Sequence, residues 1–162
     1  MNKNAELWIK ALRSGHYSQT TGSLSKNEKD ESNNWEVGYC CLGVACDLYS
    51  KFRMSEGEGD RWVEEVVSYK ESGVSVHVRR FQSEEDGVIE EQESQLPFEV
   101  RSWLGLNSEA GYYESDEDGP IEGLYSLADV NDAGIGFEEI ADLIEKEPNG
   151  LFIVAKERAE VV

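Results

Sequence analysis

The stretch YCCLGVACDLYSKF, residues 39–52, decides the fold, because it passes from a strand pattern into a helix pattern within a few residues. Before it, Trp35, Val37 and Tyr39 alternate with Glu36 and Gly38, which predicts a short strand over 35–39. From residue 40 the apolar residues recur at helical spacing, which predicts a buried helix over 40–52 whose glycine permits close packing. That helix carries Gly43 and the apolar stripe Cys41, Val44, Ala45, Leu48 and Phe52.

The same patterns, followed outward, predict an α+β fold of about four helices packed on a small antiparallel sheet, in one domain over 1–162. Helical spacing also appears over 4–14, 97–106 and 124–147, the last divided by the break NDAGIG. Strand patterns appear over 16–25, 62–69, 74–81 and 151–155. Three polar stretches predict mobile loops, namely 26–34, 82–95 and 107–123.

The charge of the chain is strongly negative and unevenly spread. The 162 residues carry a net charge of −19; residues 1–80 hold 11 Lys/Arg and 12 Asp/Glu, whereas 81–162 hold 4 and 22. Such a field repels phosphate backbones and anionic lipid, so direct binding of nucleic acid or membrane is not expected. The acidic half would attract a basic protein or imitate DNA, unless it serves only solubility.

The compartment expected from the sequence is a reducing cytoplasm. No run of 18 apolar residues exists, and the first ten residues, MNKNAELWIK, lack the apolar stretch of an export signal. The three cysteines are Cys40, Cys41 and Cys46. An odd number of cysteines without an export signal argues against a disulfide framework.

Four blocks of sequence resemble a group of small proteins encoded by bacteriophages and prophages. The blocks are LWIKALRSGHYSQTTGSL, YCCLGVACDLY, LPFEVRSWLGL and LYSLADVNDAGIGFEEIADLIE, between residues 7 and 145. The resemblance implies a phage product that acts in the host cytoplasm, where many products of this size antagonise a host function. It names no activity by itself.

The residues that follow the first predicted helix could form an anion-binding or nucleotide-binding pocket. Arg13 and the glycines around it could approach a phosphate, and tyrosines could stack on a base. The alternative is an ordinary helix end followed by a turn, and no dinucleotide-binding or P-loop motif is present. The residues proposed to bind the ligand are Arg13, Tyr17, Gln19, Tyr39 and Arg79.

Other chemistry has weaker support in the sequence. Cys41 at a helix N-terminus could be a nucleophile with His77 as its base, or simply a buried apolar residue. The string that begins at Asp129 resembles a calcium loop, but Ile140 stands where a bidentate glutamate is needed, so no metal is expected.

These observations leave three hypotheses. The first is a phage counter-defence protein that sequesters a small nucleotide-type signal of the host without a cofactor, with a homo-oligomer as one expected form. The second is an acidic interaction module, or DNA mimic, that inhibits a basic host protein. The third is a cysteine-dependent hydrolase, so enzymatic activity is uncertain and the less favoured interpretation.

Overall fold

Five helices and six strands make up the part of the chain that this computed structural model describes, residues 1–69, 74–114 and 125–154. The helices are α1 Lys3–Arg13, α2 Cys41–Ser55, α3 Phe98–Leu104, α4 Leu127–Asp132 and α5 Phe137–Glu145. The strands are β1 Ser18–Gln19, β2 Ser25–Lys29, β3 Trp35–Tyr39, β4 Trp62–Tyr69, β5 Val74–Glu85 and β6 Val88–Gln92. The predicted α+β class and single domain are confirmed, and no helix in these ranges is long and apolar enough to cross a membrane.

The strands form one mixed sheet in the order β1-β3-β2-β5-β4, and β6 pairs with the end of β5. Every pair is antiparallel except β1 with β3, which is parallel. The prediction of an antiparallel sheet is therefore correct for most pairs. It fails at β1, where only two residues pair with β3 after α1 ends.

Two of the predicted loops are wrong, because the structure places strands in them. Within 26–34, β2 hydrogen-bonds to β3 on one side and β5 on the other, so its backbone is satisfied although its side chains are polar. Within 82–95, β5 and β6 form a hairpin closed by Asp86 and Gly87, both at positive φ. An Asp-Gly pair at positive φ is typical of a two-residue hairpin turn.

The remaining expectations concern the C-terminal half. The predicted edge strand over 151–155 is reduced to a single bridge between Phe152 and Leu106, and residue 155 lies outside the described residues. Of the predicted loop 107–123, residues 107–114 are irregular apart from a bridge between Tyr112 and Ser126, and 115–123 lie outside the description. The mobility of these segments stays a prediction.

The hydrophobic core lies between the helices and one side of the sheet. Its largest fully buried side chains are Trp8, Leu24, Leu42, Phe81, Leu104, Leu106, Leu127, Ile140, Ile144 and Leu151. Helix α2 lies within this core, and nine of its residues are buried. The predicted buried helix is confirmed, except that Phe52 near its end is 42% exposed and stacks on Trp103.

The N-terminal turn of α2 is held by hydrogen bonds from three other segments. Leu24, just before β2, accepts a bond from the backbone N–H of Cys40 at 3.0 Å. The fully buried Asn131 accepts from the N–H of Cys41 at 3.0 Å and donates to Thr20 O at 2.8 Å. The indole N–H of Trp8 donates to the Cys41 carbonyl at 2.8 Å. This buried network positions α2 against both the sheet and α4.

The close approach of α2 to the backbone of Leu24 is possible because residue 43 is a glycine. A Cβ atom at this residue would lie 1.7 Å from the carbonyl oxygen of Leu24 and 2.7 Å from its carbonyl carbon. Backbone atoms cannot turn aside as a flexible side chain can, so only glycine fits here. The predicted close packing at Gly43 is confirmed.

We expect Gly43→Ala to destabilise the fold by more than about 3 kcal/mol, because the methyl group would force α2 away from β2. The measurement is urea unfolding followed by circular dichroism. Gly59→Ala is the matched control, since a Cβ there meets nothing within 4 Å, and it should change stability by less than about 0.5 kcal/mol. Equal stability of the two variants would contradict the tight contact.

Candidate functional site

The face of α2 that contains Gly43 also contains charged residues one and two turns further along the helix. Gly43, Asp47 and Lys51 are spaced four residues apart and so lie on the same side of the helix. Asp47 is only 7% exposed, yet its carboxylate accepts three hydrogen bonds. The donors are Tyr17 Oη at 2.6 Å, Lys51 Nζ at 2.9 Å and Trp62 Nε1 at 3.1 Å. A buried carboxylate is tolerated here because these donors compensate for its lost hydration.

The sheet register brings a second set of side chains to the same place. Ser25 pairs with Tyr39 on one side and with Arg79 on the other, and residues opposite each other across strands share a face of the sheet. Tyr39 contacts Tyr17 edge-to-face, with ring centroids 5.1 Å apart, and Trp62 at 5.8 Å. The two sets therefore form one cluster, called here the Arg79 cluster: Tyr17, Tyr39, Asp47, Lys51, Trp62 and Arg79.

The guanidinium of Arg79 lies at the centre of this cluster and is held by neutral groups. Its Cζ is 4.7 Å from the ring centroid of Trp62 and 5.4 Å from that of Tyr39. Its Nη1 donates to Ser25 Oγ at 3.0 Å and to Tyr39 Oη at 2.9 Å. Among the described residues, Nε and Nη2 donate to no protein group, so one edge of the guanidinium keeps its donors.

Arg79 differs from the other described arginines in having no carboxylate close to its guanidinium. Each of those five has a carboxylate oxygen within 4.0 Å. They are Arg13, Arg53, Arg61, Arg80 and Arg101. Within the described ranges Arg79 has no such partner, although the chain carries a net charge of −19. Its charge is thus offset by ring faces and hydroxyl oxygens rather than by a contacting anion.

The tyrosine and lysine of the cluster keep their protons at neutral pH. Burial, followed by the hydrogen bond to Asp47, raises the pKa of Tyr17 to about 12. The hydrogen bond to Asp47 also raises the pKa of Lys51 above its usual value. Lys51 lies over the ring of Tyr17, with Nζ 5.3 Å from its centroid. The phenol of Tyr17 and the ammonium of Lys51 therefore remain hydrogen-bond donors across the physiological range.

A second group of side chains continues along this face of the sheet. Glu64 is opposite Arg79 on β4, and its Oε1 lies 2.8 Å from His77 Nδ1 and 3.3 Å from Asn27 Nδ2. Because an ionised carboxylate only accepts, the imidazole of His77 donates to Glu64 through its Nδ1–H. The His77 hydrogen bond lowers the pKa of Glu64, so this residue is charged at neutral pH. The His77 ring contacts Trp35, with centroids 4.6 Å apart.

Three of the five residues proposed from the sequence to bind a ligand come together in the structure. They are Tyr17, Tyr39 and Arg79. The other two lie elsewhere. Arg13 contacts Asp142 at 2.6 Å and Glu145 at 2.5 Å on α5, and Gln19 donates to Asn131 and to the carbonyl of Ile135. Their polar groups hold α1 and β1 against the C-terminal helices.

The sequence analysis missed Asp47, Lys51 and Trp62. One signal for Asp47 was available: it is the single charged residue inside the apolar stretch CLGVACDLY, and a charge in a buried helix needs partners. Lys51 follows it at the i+4 spacing of a helical ion pair. Trp62 carried no signal, because its contact with Asp47 depends on how β4 lies relative to α2.

The proposed pair of Cys41 and His77 does not form. Cys41 is completely buried, its thiol points to the carbonyl of Leu127 at 3.5 Å, and burial raises its pKa well above the usual value. A cysteine nucleophile requires a lowered pKa and a nearby base. His77 is instead engaged by Glu64 and Trp35 on the face of the sheet.

The string compared with a calcium loop is a joint between two helices. Helix α4 ends at Asp132, whose Oδ1 accepts from the N–H of Gly22 at 2.9 Å. Asn131 is buried and bonded to α2, so its oxygen faces the interior. Among the residues that the structure describes, no group of three His, Cys, Asp or Glu side chains is placed to hold a metal ion.

Residues 1–148 match a protein family described as Domain of unknown function (DUF8296). The chain belongs to this family. The match spans all the helices and strands described above and therefore the whole Arg79 cluster. Comparison with curated proteins and with solved structures produced no match. The family description names no activity.

We expect none of the three cysteines to react with a thiol reagent in the folded protein. All three are buried; burial raises the pKa of Cys40 to about 11 and those of Cys41 and Cys46 well above their usual value. The measurement is titration with Ellman's reagent at pH 8, which should show three reactive thiols only after guanidinium is added. One fast-reacting thiol in native protein, lost in Cys41→Ser, would contradict the burial and revive the hydrolase hypothesis.

Proposed function

We propose that the chain binds a small anionic ligand of the nucleotide type and holds it without converting it. The observation that carries the proposal is the guanidinium of Arg79, which keeps one edge of donors and contacts no carboxylate within the described ranges. The two N–H groups on such an edge are well placed to donate hydrogen bonds to two oxygens of a phosphate or a carboxylate.

The side chains around Arg79 are arranged as expected for ligand recognition rather than for a purely structural role. The rings of Tyr39 and Trp62 flank the guanidinium, and the hydrogen bonds that it donates to Ser25 and Tyr39 orient its plane. Asp47 in turn fixes Tyr17 and Trp62 through hydrogen bonds. A cation held in one orientation loses little entropy when an anion arrives, which favours affinity. Neighbouring aromatic rings supply apolar surface for a flat base.

The absence of a nucleophile–base pair at Cys41 and His77 in the described structure favours sequestration over turnover. A protein that only retains a nucleotide can remove a signal from circulation. Together with the resemblance to phage proteins, this supports a counter-defence role in the host cytoplasm, where the buried thiols would remain reduced.

A second candidate function has one specific observation in its favour. The β5–β6 hairpin carries five carboxylates within residues 84–91, and its apolar Val88 and Ile89 are 59% and 66% exposed. An apolar contact rimmed by acidic residues is suited to a basic protein surface. The acidic end of the hairpin, residues 84–91, contains none of the residues of the Arg79 cluster, although Arg79 lies earlier on β5, so the two functions can be separated by mutation.

We expect Arg79→Ala to weaken binding of cyclic AMP and AMP by about 10- to 100-fold, because a charge-assisted hydrogen-bond pair is lost. The measurement is isothermal titration calorimetry at fixed salt. Arg80→Ala is the matched control, since the next residue points to the opposite face and pairs with Glu65. It should leave both affinities within about twofold.

The result that contradicts the proposal is equal affinity in the two variants. Failure of native protein to bind either nucleotide at millimolar concentration would also contradict it. Recovery of a hydrolysed or cyclised product from the titration mixture would show that the ligand is converted, and would refute simple retention.

A further inference from the structure

Trp35 is a large exposed ring on the same face of the sheet as Arg79. It is 49% exposed, whereas Trp8 is fully buried. It lies at the start of β3, opposite Lys29 on β2, whose Nζ is 5.4 Å from the centre of the ring. Its other neighbour is the imidazole of His77. Although Lys29 lies over this ring and His77 contacts it, about half of the side chain remains exposed and can stack on another ring.

The strand register gives the order of side chains along this face. On β5, Phe81 is level with Trp62, Arg79 is level with Glu64, and His77 is level with Asn27. On β3, Tyr39 is level with Ser25, and Trp35 lies four residues further, level with Lys29. Arg79 thus lies between the Trp62 ring and the Trp35 ring along the strand direction. Trp62 donates to Asp47 of α2, whereas Trp35, further along this face, is 49% exposed.

We infer that Trp35 forms a second ring-binding subsite and that the ligand is a dinucleotide, with its phosphodiester at Arg79. This inference rests on the proposed function. A phosphodiester has a nucleoside on each side, so an anion anchored at Arg79 directs one base toward Tyr39 and Trp62 and the other toward Trp35. A mononucleotide would leave Trp35 unused.

The charges on this face favour a diester over a terminal phosphate. Lys51 is paired with Asp47, so Arg79 is the cation left to receive the phosphate in the described part of the cluster. Glu64 lies opposite Arg79 and is negative. A diester carries a single negative charge, which Arg79 neutralises, whereas the second charge of a terminal phosphate would be repelled by Glu64 and would lower its affinity relative to a diester.

The test compares adenylyl-(3′,5′)-adenosine with cyclic AMP, which has the same single diester charge but one base. In the native protein the dinucleotide should bind more tightly by about 5- to 150-fold, the range that stacking of one base gives. Trp35→Ala should remove this advantage and leave the affinity for cyclic AMP unchanged. Trp35→Phe should restore most of the advantage, because a ring remains.

Tyr125→Ala is the control for loss of an exposed aromatic ring, since Tyr125 is 55% exposed and precedes α4. It should leave both affinities unchanged. Equal binding of the two ligands by native protein, or an undiminished dinucleotide advantage in Trp35→Ala, would overturn the second subsite. Either result, with cyclic AMP still dependent on Arg79, would leave the proposed function standing, whereas loss of all Arg79 dependence would overturn both.

Discussion

The contact between Gly43 and the backbone of Leu24 is the constraint on which the site depends. Because no side chain separates them, α2 lies directly against the start of β2, and the hydrogen bonds at Cys40 and Cys41 fix its rotation. The rotation of α2 about its axis then determines which residues its next turns contact. Asp47 is one turn further along and meets Tyr17 and Trp62, and Lys51 follows one turn later.

The hydrogen bonds of Asp47 also fix side chains of the Arg79 cluster. A nearly buried carboxylate is costly unless it is fully hydrogen-bonded, and here the donors that satisfy it are the same side chains that shape the site. One of the rings it holds, Trp62, lies against the Arg79 guanidinium, which contacts no carboxylate in the described structure. Arg80, one residue later on the other face, lies within reach of Glu65, Glu91 and Glu93. Among the described arginines of this strongly acidic chain, Arg79 alone has no carboxylate within 4.0 Å, as the proposed binding of an anion requires.

Much of the fold could be predicted from local patterns, and the failures have a physical cause. The helices over 3–13 and 41–55 follow from apolar spacing, and Gly43 was recognisable as a packing residue. Strand β2 was missed because its side chains are polar, although its backbone is paired on both sides. Strand β6 was missed although Asp86 and Gly87 are a strong hairpin signal, because the acidic composition suggested a loop.

The types of residue in the site could be predicted from the sequence, but the contacts that each of them makes could not. Tyr17, Tyr39 and Arg79 are suited to an anionic ring ligand, and the structure brings them together. Arg13 has the same chemistry, but α5 supplies two carboxylates that occupy it. Which arginine meets a carboxylate is decided by tertiary packing, so one sequence cannot distinguish Arg13 from Arg79.

The most direct test of this account observes the arginine Nε–H groups themselves. In a ¹⁵N-labelled sample titrated with cyclic AMP, the Nε–H signal of Arg79, assigned by its loss in Arg79→Lys, should shift with saturation. The signals of Arg13, Arg53, Arg61, Arg80 and Arg101, each already beside a carboxylate, should stay in place. A stationary Arg79 signal, or a shift at Arg13 instead, would contradict the account.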